Sequence, residues 1–216
     1  DGSVVDSAGT LIVNSGASIL QDSGTGGATL TAVNDLTLNA SEIALGDLLV
    51  TSTAGNASVT GVVNVTGNNL SITGAGNVDI DANVTTTTSG NITLTSDTGG
   101  GGGNIDIAGN TSIVAAGVLD VETGTGQMVD SATNGQSVTL GSTGGAFDFE
   151  RTTFTNANLA LSVGGNVSQT GVVVISGDTS INAGANTIDL SDSSNDFGTS
   201  LDLRGSSADI QDINAI

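Results

Sequence analysis

Short apolar–polar–apolar units recur along the chain, each led by a polar residue and usually followed by Gly, Asn or Ser. They include Asn69-Leu-Ser-Ile72, Asn77-Val-Asp-Ile80, Asn91-Ile-Thr-Leu94, Asn104-Ile-Asp-Ile107, Ser137-Val-Thr-Leu140, Thr187-Ile-Asp-Leu190 and Ser200-Leu-Asp-Leu203. Alternation at a period of two places both aliphatics on one face of a short strand and the central residue on the other. Such a strand buries too little to stand alone, so the units must stack.

Their spacing shows how. Ile43, Val63, Val84, Ile105, Met128, Phe147, Val167, Ile188 and Ile210 follow one another at intervals of 19–23 residues. Leu119, Val138, Leu159, Ile181 and Leu201 form a second such series, and Leu30, Val50, Leu70, Ile92 and Ile113 a third. Three interleaved series with one period predict an all-β fold, a parallel β-helix (β-solenoid). It has three strands per coil, about 21 residues per coil and roughly ten coils in a single domain. Short connections between parallel strands predict a right-handed winding. Two polar interruptions, residues 95–104 with the run Gly99–Gly103 and residues 130–136, read as loops bulging from one corner. Residues 1–28 are less regular, with Leu11–Val13 and Ile19–Leu20 as the strands of a first coil.

Composition sharpens this reading. The chain of 216 residues has 33 Gly and lacks Cys, Pro, Trp, Tyr, His and Lys. Of its 22 acids only Glu42, Glu122 and Glu150 are Glu, so the rest are turn-favouring Asp. Arg151 and Arg204 are the two cations, and the net charge is −20. That charge argues against nucleic acid and anionic membranes as partners. The longest aliphatic run, Val172–Ile175, is far too short to span a bilayer. Zinc sites, thiol chemistry and Ser-His triads have no residues to use.

Asp35-Leu-Thr-Leu-Asn-Ala40, Asn91-Ile-Thr-Leu-Thr95, Asn104-Ile-Asp-Ile-Ala-Gly109 and Gly165-Asn-Val-Ser168 resemble the repeats of filamentous-haemagglutinin-like exoproteins. That group contains two-partner-secreted adhesins and contact-dependent inhibition stalks. The resemblance covers most of residues 30–205. It implies a β-helix exposed at an extracellular bacterial surface, and a shaft rather than a secretion domain, whose Asn-Pro motifs a proline-free chain lacks.

Candidate chemistry is sparse. Asp79, Asp81 and Asn83 begin like an EF-hand loop, but Val84 and Gly90 occupy the positions of its Gly and closing Glu. Asp189, Asp192 and Asp196, near one turn, are the remaining calcium candidates; no other cofactor is indicated. Asp106, Asp148 and Asp189 fall on one outer face in this register, two coils apart, too poorly equipped with aromatics and bases for sugar cleavage. In Phe147-Asp-Phe-Glu-Arg-Thr-Thr-Phe154, Phe147 and Phe149 are inward, Arg151 pairs with Glu150, and Arg151 with Phe154 is the candidate recognition patch. The outward residue changes from coil to coil, which argues against a threonine ice-binding face. Eight Asn-x-Ser/Thr sequons, at Asn39, Asn56, Asn64, Asn69, Asn83, Asn91, Asn110 and Asn166, follow from composition.

The expected function is therefore structural and not enzymatic: a shaft segment of an extracellular bacterial fibre or adhesin. The alternatives are a self-assembling filament subunit and a glycan- or cell-surface-binding module. Partners would be neighbouring coils, of this or another copy end to end, and possible surface glycans.

Overall fold

A computed structural model describes residues 3–14, 27–39, 46–66 and 68–214. Every described strand pairing is parallel, and from Leu48–Ser52 onward the strands visit three faces in strict rotation. One coil shows the rule. Leu48–Ser52 lies on the first face, Ala57–Val59 on the second and Val63–Val65 on the third, and Leu70–Gly74 returns to the first beside Leu48–Ser52.

The first face is a six-stranded sheet from Ser3–Ser7 to Leu119–Glu122, continued by a four-stranded sheet from Phe147–Phe149 to Ser207–Ile210. The second is nine-stranded, from Leu11–Val13 to Asp196–Phe197, close to the ten coils that the spacing predicts. The third is seven-stranded, from Val63–Val65 to Ser200–Arg204. Leu11–Val13 is a strand as expected. Ile19–Leu20 and Ile43 lie outside the described residues.

The alternation read from sequence holds. Val78, Ile80, Ile92, Leu94, Ile105 and Ile107 are fully buried, and the inward residues merge into one cluster running from Ala28 to Phe197. A parallel β-helix buries its apolar rows by stacking them, so each coil depends on its neighbours for its core.

The phase of the three series is corrected in the middle of the chain. Val63 and Val84 are on the third face, Ile105 and Met128 on the second, and Phe147, Val167 and Ile188 on the first. The true partner of Val84 is Ile113, 29 residues on, and that of Ile92 is Leu119, 27 residues on. Corner insertions lengthen these coils, and strands within a coil are only a few residues apart. A constant step of 21 therefore slides onto the preceding strand.

The two interruptions sit at different corners. Residues 96–104 join the first face to the second, and residues 131–136 join the second to the third. No strand is lost at the first of them: Leu94 and Ile105 belong to successive faces of one coil.

Candidate functional site

The most regular feature beyond the core is a set of side-chain ladders at the corners. Where the first face turns into the second, Asn56 N–H donates to Asp35 Oδ1 (3.0 Å) and Asn77 N–H to Asn56 Oδ1 (2.8 Å). Asn104 N–H then donates to Asn77 Oδ1 (2.9 Å), and Gln127 N–H to Asn104 Oδ1 (3.1 Å). At the corner leading back to the first face, Asn69 N–H donates to Asp47 Oδ1 (2.9 Å), Asn91 N–H to Asn69 Oδ1 (3.0 Å) and Val118 N–H to Asn91 Oδ1 (2.8 Å). The third corner repeats the device with Asn83 accepting from Ser112 N–H (2.8 Å) and Asn158 from Asp178 N–H (2.9 Å).

These bonds occupy backbone donors where the strands break and the β-ladder cannot reach. They also explain the sequons. In Asn56-Ala-Ser, Asn69-Leu-Ser, Asn83-Val-Thr and Asn91-Ile-Thr, the Asn is a ladder residue, the next residue is buried and the third faces out. The leading polar residue of each unit was visible in the sequence; its bond to the next coil was not. The signal was its frequent identity as Asn or Asp directly before an inward aliphatic.

Glycines let the corners close. A Cβ on Gly103 would lie 2.2 Å from Gly76 O, and one on Gly126 would lie 2.0 Å from Gly103 O. The Gly99–Gly103 insertion is fastened to the wall through Asp97, which is 6% exposed. Its Oδ1 accepts from Gly102 N–H (2.7 Å), and its Oδ2 accepts from Thr125 N–H (2.9 Å) and the Thr125 hydroxyl. These hydrogen bonds, the Thr125 hydroxyl first, hold the Asp97 carboxyl well below the usual carboxylate range.

The first face changes sheet between Leu119–Glu122 and Phe147–Phe149, and side chains bridge the change. Glu150 Oε2 accepts from Thr123 N–H (2.6 Å) and the Thr123 hydroxyl (2.7 Å), while Leu119 N–H donates to Ser142 Oγ (3.1 Å). Glu150 therefore does not pair with Arg151, contrary to the sequence expectation; it reaches across to the preceding coil. The ion pair present among the described residues joins Arg204 and Asp202 at 3.6 Å, with both side chains largely exposed, a contact of little energetic weight.

Arg151 is exposed at the rim of a hollow of about 180 Å³ shared with Thr123, Gly124, Gly126, Glu150, Thr170 and Gly171. Phe154 is fully buried, which corrects its place in a recognition patch. Thr152 and Phe154 are the two inward residues of a three-residue strand. Phe147 and Phe149 pack edge to face at 4.9 Å in the same core.

The calcium candidates are dispersed over different structural settings. Asp189 is exposed on the first face and accepts from the Ser191 hydroxyl (2.6 Å). Asp192 caps a turn through Ser194 N–H (2.8 Å), and Asp196 on the second face accepts from Asn214 Nδ2 (2.9 Å). Among the described residues, no group of three acids is placed to hold a metal ion. The one-face register for Asp106, Asp148 and Asp189 is also corrected. Asp148 and Asp189 share the first face with Ser168 between them, whereas Asp106 lies on the second.

One outward row is more regular than the sequence suggested. Thr31, Thr51, Thr73 and Thr95 stack in register on the first face. The adjoining row reads Thr29, Leu49, Ser71 and Thr93. β-branched side chains suit such stacked positions.

The fold and its corner ladders define a β-helix repeat protein. In agreement, a family described as repeats of unknown function (DUF5649) matches residues 135–204. That stretch holds the evenly spaced coils in which Leu140, Leu161, Ile181 and Leu203 stack at steps of 21, 20 and 22. No curated protein and no solved structure matches the chain.

Proposed function

We propose that this chain is a shaft segment of an extracellular bacterial surface fibre or adhesin, with a mechanical rather than catalytic role. The observation that carries the reading is the parallel register itself. All three faces and their corner asparagines repeat the same coil-to-coil bonds, so pulling along the axis loads many of them together. The acidic surface would keep neighbouring shafts apart. A shaft needs no receptor site of its own; reach and stiffness are its contribution, and binding falls to whatever it carries. Neighbouring coils, in this chain or another copy end to end, are its natural partners.

Antibodies raised against the chain test the location on intact cells of the source organism. Filamentous surface labelling is expected; labelling that appears only after lysis would remove the extracellular shaft reading. Electron microscopy of the isolated chain separates the second reading, a self-assembling subunit. Single short particles fit a shaft segment, and long filaments from this chain alone favour end-to-end polymerisation.

A further inference from the structure

Two like charges are stacked directly on one another in the middle of the second face. Asp79 and Asp106 are the central residues of the matching units Asn77–Ile80 and Asn104–Ile107, and they are in register on adjacent parallel strands. Strand spacing puts their backbones about 4.8 Å apart with side chains pointing the same way. Both are half-buried, and Asp106 Oδ1 is buried without a hydrogen-bond partner.

The surroundings supply more negative charge. On the strand beneath, the Ser58 hydroxyl donates to Asp79 Oδ2 (3.2 Å). On the strand above, Val129 faces out beside Asp106. Asp130, at the end of that strand, and Asp81, just past the end of Asp79's own strand, both act on Asp106; Asp35, at the corner, and Asp81 act on Asp79. Ser131, just past the end of the strand above, acts in the opposite direction and lowers the Asp106 value, while its own backbone N–H donates to Ile107 O (3.2 Å).

We propose that the stacked Asp79 and Asp106 carboxyls hold one proton between them, making this part of the solenoid a proton-responsive section that tightens on acidification and loosens as the proton is lost. The proton turns one carboxylate into a neutral donor and removes the like-charge repulsion within the stacked pair. Burial, more than the neighbouring charges, pushes both carboxyls above their ordinary value. A group whose folded-state value is raised binds its proton more tightly when folded. It therefore adds stability as pH falls from neutrality through that raised value, and withdraws it as pH rises. The inference is independent of the shaft reading, because it concerns the coil junction alone.

Carboxyl-carbon NMR titration of the intact chain tests it, with Asp106→Asn and Asp79→Asn as reciprocal variants. The pair should titrate in two steps, the upper one above the ordinary carboxylate range, and either variant should bring the remaining carboxyl back down. Melting temperature supplies the second readout. Acidification from pH 7 to pH 5 should raise it less in either variant than in Asp120→Asn, which removes an equal charge from the exposed side of the first face. Independent titration, with the remaining carboxyl unmoved in both variants, would overturn the proposal. So would a shift of both carboxyl signals by calcium chloride at pH 7, which would make the pair a cation site.

Discussion

Removing the Asn91 side chain leaves Val118 N–H without its 2.8 Å acceptor at a corner where no strand can replace it. Asn91→Ala should cost about 1–3 kcal/mol in denaturant unfolding, whereas a ladder without mechanical weight would show no change. Phe154 sits at 0% exposure, and Phe154→Ala should cost about 3–5 kcal/mol. The glycine insertion offers an internal comparison. Gly103→Ala forces a Cβ to within 2.2 Å of Gly76 O and should destabilise clearly, while Gly101→Ala, with nothing within 4 Å, should stay within about 0.5 kcal/mol. Inward and outward positions were readable from the period of two alone, as with Ile105, Asp106 and Ile107. The asparagine bonds and the burial of Phe154 were harder to read. Each depends on which strand lies one coil away, and the local sequence does not state that.

Strands are specified locally here, but their pairing is set by corner length. The coil from Leu94 to Val121 spans 27 residues because residues 96–104 fold back as a closed insertion, and Asp97 is what closes it. Asp97→Asn should loosen this insertion at pH 7 through loss of the charge-assisted bonds to Gly102 and Thr125. The sign with pH follows from the lowered Asp97 value. Its contribution is present above the unfolded carboxylate value of about 3.9 and is lost only as pH falls through the lower folded value. The stability difference between wild type and Asp97→Asn should accordingly be flat near neutrality and shrink below pH 4; growth of the difference in acid would contradict the assignment. The element type and three-face rotation were legible in the sequence because every unit repeats the same alternation. The phase was not, since unequal corners let a fixed period drift from the third face at Val84 to the second at Ile105.

At the scale of the molecule, stability belongs to the stack. A single core cluster runs from Ala28 to Phe197, so damage at one coil should propagate to its neighbours before it reaches the ends. The net charge of −20 is spread over a surface with two arginines, which opposes side-by-side association. Register is the claim on which the core, the ladders and the Asp79–Asp106 stack all depend, and the absence of native cysteine allows it to be read chemically. Thr85 and Val114 are outward partners on adjacent strands of the third face, at a backbone separation that a disulfide can bridge. Thr85→Cys with Val114→Cys should cross-link efficiently under mild oxidation, and Thr85→Cys with Asp106→Cys, the pair implied by an unbroken 21-residue step, should not. Cross-linking of the second pair in place of the first would contradict the stacking on which this account rests.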